Sequence, residues 1–350
     1  MSFADLLSRL GGPVIQAPMA GVQNHRLAAT VCEAGGLGSL AAAMLTPEGL
    51  QAELQALSAA TDKPYNVNFF CHTPPPSDSA RQAAWEQALS PYYREMGLDP
   101  AAIPSGPGRV PFGHDSADVL ETFQPAVVSF HFGLPAPDLL ARVKGWGSLV
   151  LSSATTVQEA LWLQAHGADA VIAQGLEAGG HRGMFLTDDL STQMGTLALL
   201  PQIAQAVQIH VIAAGGIGSA QAVVAAKALG AAGVQIGTAY LCSHEATTSA
   251  LHRAALQSPA AQHTALTNLF SGRPARGIVN RLMAELGALN KAAPAFPLAT
   301  AGIAPLRAAA EAQGLTDFTP LWSGQNAQSA RSLSATEITR DFVNAWRSMP

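Results

Sequence analysis

The chain has 350 residues, 48% of them hydrophobic and only 12% charged, with a formal net charge of −5. Its 19 basic residues are spread along the chain and form no patch, which removes the electrostatic footprint of a nucleic-acid binder. The three cysteines, Cys32, Cys71 and Cys242, lie far apart without metal-type spacing and suit a reducing compartment. The opening Met1–Leu10 segment has no basic region followed by an apolar core, so no secretory signal is expected and the expected location is cytoplasmic.

Short apolar runs alternate with helical patterns, the signature of a parallel sheet with crossover helices. Strands are expected at Val14–Ala17, Leu37–Ala41, Tyr65–Phe69, Ala126–Phe130, Leu149–Ser152, Ala170–Ala173, Val211–Ala214 and Gly233–Ile236. The helices between them are marked by their ends. Asn24 caps one that stops at Gly35-Gly36. Thr156 caps another, running through Ala160 and Leu163 to His166-Gly167, and Ser219 opens a third that reaches Gly230. The uncharged stretch Gln208–Ala226 is long enough to cross a membrane. Gly215, Gly216, Gly218, Ser219 and Gln221 interrupt it as strand-turn-helix punctuation does, so no membrane span is expected.

Eight such units within roughly 240 residues match a closed (β/α)8 TIM barrel. A doubly wound sheet calls for a G-x-G-x-x-G turn after its first strand. Here Pro18-Met19-Ala20-Gly21 follows that strand, and Gly35-Gly36-Leu37-Gly38 precedes one. The barrel is expected over residues 1–242. Residues 71–125 form a Pro-rich insertion, with Pro74-Pro75-Pro76, Pro104, Pro107 and Pro111, that starts where a lid would start. Residues 243–335 are Ala- and Leu-rich with helical spacing and read as a smaller, mainly helical cap. Residues 336–350 hold an amphipathic helix that returns to the barrel.

Barrels of this kind keep their chemistry at the C-terminal ends of the strands. The residues there are Pro18-Met19, Ala42-Ala43-Met44, Asn68 with Phe70, His131, Ser153-Ala154, Gln174 through His181, Gly215-Gly216 and Gly237-Thr238. Only Glu177 is anionic, and no carboxylate cluster or metal-spaced histidine pair occurs, so no metal centre is expected. Amides, glycines and apolar groups suit a flat, partly apolar ligand. Gly215-Gly216-Ile217-Gly218-Ser219 opens a helix, and Gly237-Thr238 follows the last strand. Barrels commonly bind phosphate at these two loops, where exposed N–H groups and a helix dipole favour an anion. Either glycine cluster alone is better explained by an ordinary turn. Both together, opposite an amide-rich ring, outline FMN.

Six segments carry a family resemblance: Gln16 to Gly21, Pro64 to Asn68, Ser129 to Gly133, Gln174 to His181, Ala213 to Ile217 and Gly233 to Thr238. In that order, and with Leu269 to Gly277 in the cap, they resemble the nitronate monooxygenases, formerly called 2-nitropropane dioxygenases. The resemblance covers nearly the whole chain. It implies FMN held by the Pro18-Met19 backbone, Asn68, Gln174, Gly179, Gly180, Gly215, Gly216, Gln235, Gly237 and Thr238, with His181 as the active-site histidine. It also implies oxidation of alkyl nitronates with O2 to a carbonyl compound and nitrite, through a flavin semiquinone. The small-molecule nitronate and O2 are the expected partners, without nucleic acid or membrane, and a homodimer stays open. The alternative on the same barrel is an NAD(P)H-dependent reductase of a quinone or enoyl thioester. One departure is visible: some similar monooxygenases carry cap tyrosines, whereas Pro294 to Leu298 here contains Phe296.

Ten histidines make any single one a weak signal. His181 stands out because it ends a glycine loop at a strand top and its type titrates near neutrality. It can act as a general base on a nitroalkane when neutral, or stabilise negative charge when protonated. His131 and Phe70 are substrate-pocket candidates, and His131 is equally suited to ordering the pocket. His166, His210 and His252 read as structural or exposed. Glu177 is more simply a partner for loop amides than a base. Arg273 and Arg276 either meet an anion or pin the cap to the barrel. Cys71 and Cys242 read as buried apolar residues.

Overall fold

The computed structural model describes residues 2–106 and 109–348; Pro107 and Gly108 of the insertion lie outside it, as do Met1 and the last two residues. Eleven strands occur among the described residues. In chain order they are β1 (Val14–Gln16), β2 (Gly38–Ala41), β3 (Tyr65–Phe70), β4 (Val127–His131), β5 (Leu149–Ala154), β6 (Ala170–Gln174), β7 (Gly180–His181), β8 (His210–Ala214), β9 (Gly233–Ile236), β10 (Thr264–Thr267) and β11 (Ala275–Ile278).

Eight of them form one parallel sheet in the order β1-β9-β8-β6-β5-β4-β3-β2. The sheet closes on itself: Leu37 N–H donates to Val14 O at 2.8 Å and Gln16 N–H donates to Leu37 O at 3.0 Å. The eight expected strands all occur, each end within a residue or two of its expected place. The pleat sorts their side chains. Ile15, Leu37, Val127, Leu149, Leu151, Ile172 and Ile212 form one buried cluster, while Val128, Phe130, Val171, Ala173 and Val211 pack toward the surrounding helices. The helix Phe3–Arg9 was not foreseen. Its Phe3 and Leu6 join the interior cluster, and Phe3 stacks on His210, where β8 begins, with ring centres 4.9 Å apart.

The expected helix ends are present. Asn24, Thr156 and Ser219 each accept a hydrogen bond from the first turn of the helix they precede. Gly35, Gly167 and Gly230 take the left-handed conformation just past the ends. The stretch Gln208–Ala226 resolves into β8, a turn and most of the helix Ala220–Ala228. Among the described residues no helix is long and apolar enough to cross a membrane. The helix Ala335–Arg347 starts with a Ser334/Glu337 capping box and buries Ile338, Phe342 and Val343 against the outside of the barrel.

The region after β9 is mainly helical but adds a hairpin, β10–β11, whose second strand pairs antiparallel with β7. The insertion contributes to the same layer. Trp85, Leu89, Tyr92 and Tyr93 of its helix Ser79–Glu95 share a core with Leu269, Phe270, Ile303 and Leu306. Tyr93 OH donates to Gly302 O at 2.8 Å.

Candidate active site

Alternation along the strands decides which residues reach the top of the barrel. Asn66, Asn68 and Phe70 share one face of β3, Ser129 and His131 one face of β4, and Ile172 and Gln174 one face of β6. The upper members of these rows line a cavity of about 310 Å³, with Ser153 of β5 and Gln235 of β9. That volume is at the small end for ligand pockets. Every residue expected to hold the cofactor lines it, as do His181, His131 and Phe70.

Their polar groups differ in what they leave free. Asn68 Nδ2 donates to Ser129 Oγ and O at 2.9 and 3.2 Å, so Oδ1 is its spare acceptor. Gln174 is engaged with its own loop: Nε2 donates to His181 O at 3.0 Å and Oε1 accepts from Gly183 N–H at 2.8 Å. Met19 N–H donates to Gln23 Oε1 at 2.8 Å, so the Pro18-Met19 step has no N–H to offer a ligand. Gln235 Oε1 is buried without a partner among the described residues, a position that fits a ligand donor because buried polar atoms are almost always bonded. Gly215 and Gly216 have φ of 112° and 71°. Thr238 opens a short 3₁₀ turn, where the first N–H has no partner within the turn. A Cβ on Gly180 would project into open space, whereas one on Gly179 would sit 2.5 Å from Gly324 N. Gly180 therefore borders the ligand space, and Gly179 makes room for the cap.

His181 is held at both ends. Its carbonyl accepts from Gln174 Nε2 and from His131 Nε2–H, the latter at 3.1 Å. His131 Nδ1 lies 3.0 Å from Ser153 Oγ, which donates to it. Burial pushes the His131 pKa down to about 4, so the ring is neutral with its proton on Nε2. Both its nitrogens are thus occupied, and His131 positions the loop rather than offering a nitrogen to a substrate. The His181 side chain has Nε2 2.8 Å from Ser271 Oγ, whose own hydroxyl reaches Arg273 O at 3.4 Å. A carbonyl only accepts, so the arrangement consistent with both contacts has Nε2–H donating to Ser271 and Nδ1 carrying the lone pair. Burial lowers the His181 pKa well below its ordinary value, aided by Arg109, His131, Arg273 and His72. Phe70, Phe132, Phe296 and Trp322 surround the ring at centroid distances of 5.3–6.1 Å.

The remaining candidates are structural in geometry. Glu177 accepts from Thr196 N–H and Oγ1 and fixes the start of the helix Thr196–Ala206. Arg276 Nε donates to Leu176 O at 2.9 Å, and Arg273 donates to Met184 O while lying 4.1 Å over the Phe132 ring. Both arginines pin the cap to the barrel loop through carbonyls. His252 Nε2 donates to Trp322 O.

Several site residues were not foreseen. Arg182 is fully buried and clamps the carbonyls of Gln174 and Gly175 at 2.7 Å each. It sits one residue past His181, a place where only the loop's fold shows its purpose. Ser271 and Trp322 come from the cap, and Arg109 comes from the insertion. The segment Ser323 to Asn326 covers the glycine cradle: Gly324 N–H donates to Thr238 Oγ1 at 3.0 Å and Asn326 Nδ2 to Gly216 O at 3.3 Å. No Asp or Glu lines the cavity among the described residues.

A closed α/β barrel with a histidine in an aromatic wall at its top and glycines at the last two strand ends is the setting in which barrel enzymes work on small molecules. Residues 5–345 match the nitronate monooxygenase family. The chain is 42% identical to a nitronate monooxygenase of Pseudomonas aeruginosa, over 98% of this chain and 99% of that one. It is 44% identical to one of Paraburkholderia phytofirmans, over 93% and 90%. A solved nitroalkane oxidase of Streptomyces ansochromogenes superposes with a TM-score of 0.90 at 38% identity, covering 98% of this chain and 97% of that one. The chain belongs to the nitronate monooxygenase family.

Proposed function

We propose that this chain oxidises alkyl nitronates at bound FMN with O2, releasing a carbonyl compound and nitrite. The observation that carries the reading is His181: a neutral imidazole whose Nδ1 has no partner among the described residues, set in an aromatic wall of a cavity that no described Asp or Glu lines. The residues present fit FMN. Asn68 Oδ1 and Gln235 Oε1 are spare acceptors for a flat, hydrogen-bonding ring. Gly180 leaves open space, and Gly215, Gly216, Gly237 and Thr238 form a backbone cradle suited to a phosphate. Bound FMN would take electrons from the nitronate and pass them to O2.

The protein's own part is orientation and proton handling. A nitronate is already an anion and needs no proton removed. A neutral nitroalkane does, and His181 Nδ1 is the group that would take its α-proton. Low proton affinity keeps His181 in its basic form at neutral pH. The anion formed beside it then favours the protonated ring and holds the proton in place. Gln174 and His131 fix the backbone that carries His181, and Ser271 fixes its tautomer. The rings of Phe70, Phe132, Phe296 and Trp322 exclude water around it.

Stoichiometry tests the reading. Purified holoenzyme given a nitronate in air should release nitrite and consume O2. With NADH or NADPH and a quinone or enoyl thioester it should show no comparable oxidation. The reverse pattern would move the chain to the reductase class.

A further inference from the structure

Arg109 lines the same cavity as His181, yet the chemistry above makes no use of it. It comes from the insertion between β3 and β4. His72 Nε2–H donates to its carbonyl at 3.1 Å, fixing its backbone. Its guanidinium carbon lies 5.6 Å from the centre of the Phe296 ring and 6.0 Å from that of Phe70. These two rings also border His181, at 5.3 and 5.9 Å. Nη1 of Arg109 is buried with no hydrogen-bond partner among the described residues. Burial lowers its proton affinity, with no acidic neighbour opposing the shift. The other arginine of the cavity wall, Arg307, contrasts with it, since its Nε meets Glu311 at 2.7 Å.

A cation partly removed from water, with no counter-ion among the described residues, is unfavourable in a folded protein. The Phe70 and Phe296 faces offset this only in part. The fork of a guanidinium matches a planar group that carries two anionic oxygens. We propose that Arg109 is the anion anchor of the pocket, taking both oxygens of a planar O–N–O or O–C–O group and holding it beside His181, Phe70 and Phe296.

The nitronate as natural occupant rests on the function proposed above; the anion site rests on the geometry alone. With Arg109 in this role, the pocket discriminates in favour of the nitronate over the neutral nitroalkane. It also stabilises the anion that His181 creates by removing a proton.

Nitrate is a planar, unreactive probe for the test. Titrated into the holoenzyme and followed by calorimetry, it should bind in competition with the nitronate. Arg109→Met should weaken nitrate binding tenfold or more and raise the KM for nitronate more than it lowers kcat. Arg109→Lys keeps the charge without the fork and should fall between the two. A second readout is the acid limb of kcat/KM for a neutral nitroalkane. Removing the positive charge raises the proton affinity of His181, so the limb should move to higher pH in Arg109→Met and stay near the original in Arg109→Lys. The other groups facing His181, namely His131, His72 and Arg273, are unchanged in all three proteins. If Arg109→Met folds poorly, the nitrate affinity of Arg109→Lys decides. Equal nitrate binding by a folded, flavin-loaded Arg109→Met protein and the original would overturn the proposal, as would an original protein that binds no nitrate. A protein that turns over no nitronate yet binds nitrate through Arg109 would sink the functional reading and leave the anion site standing.

Discussion

At the scale of single residues, the site is a set of groups whose spare valences can be counted. Among the described residues His181 leaves Nδ1 without a partner, His131 leaves neither nitrogen free, and Gln174 uses both ends on its own loop. Replacing His181 by Asn removes a group that can take up a proton while keeping hydrogen bonds. Turnover of a neutral nitroalkane should fall by roughly 10²–10⁴-fold, the scale of a lost general base. Turnover of the nitronate should fall much less, and nitrite release with matched flavin occupancy is the measurement. Equal losses on both substrates would reject the base role. Gly216 is read differently. Its φ of 71° is a region that a β-branched side chain rarely enters, so a side chain there is strained even though an added Cβ would only touch Glu177 Cβ at 3.4 Å. Gly216→Val should therefore distort the cradle and lower flavin occupancy at least tenfold, measured by chromatography of released flavin. Undiminished occupancy in a folded variant would place the phosphate elsewhere.

At the scale of elements, the glycine loop after β6 is more than a flexible turn. Two of its residues form β7, which pairs with β11 of the cap, with His181 opposite Ala275 and Gly180 opposite Arg276. The histidine is thus held by a sheet that neither the barrel nor the cap could make alone. Gly179 is the seam. A side chain there meets Gly324 N at 2.5 Å and Ser323 C at 2.6 Å, both backbone, so nothing can move aside cheaply. Gly179→Val should loosen the 323–326 segment from the cradle, lower the thermal midpoint and expose that segment to proteolysis. An unchanged digestion pattern would show that the seam has slack. This pairing was not legible along the chain, because β7 has only two residues and its partner lies about ninety positions away.

At the scale of the whole molecule, four histidines whose proton affinity burial lowers, His72, His131, His181 and His252, couple stability to pH. Burial holds His131 and His252 at about 4 in the folded chain, against roughly 6.5 when unfolded. Between these values the unfolded state binds more protons than the folded one. Their contribution is therefore complete above about pH 6.5 and is lost as pH falls toward 4. The thermal midpoint should drop between pH 7.5 and 5 in a variant series where His252→Gln flattens the change; an equally steep fall in that variant would remove His252 from the account. The sequence by itself determined the barrel, because eight apolar runs and their capping residues are local signals that repeat along the chain. It also placed His181, Asn68, Gln174 and the glycine cradle at strand ends, since a strand's end follows from its own length. Only the tertiary structure decided what those residues do. Ser271 sets the tautomer of His181, Arg276 and Arg182 lock the loop carbonyls, and Arg109 enters from an insertion whose helix packs with residues some two hundred positions later. Such contacts depend on which distant backbone comes to lie within hydrogen-bond reach, and no local pattern of side chains encodes that distance.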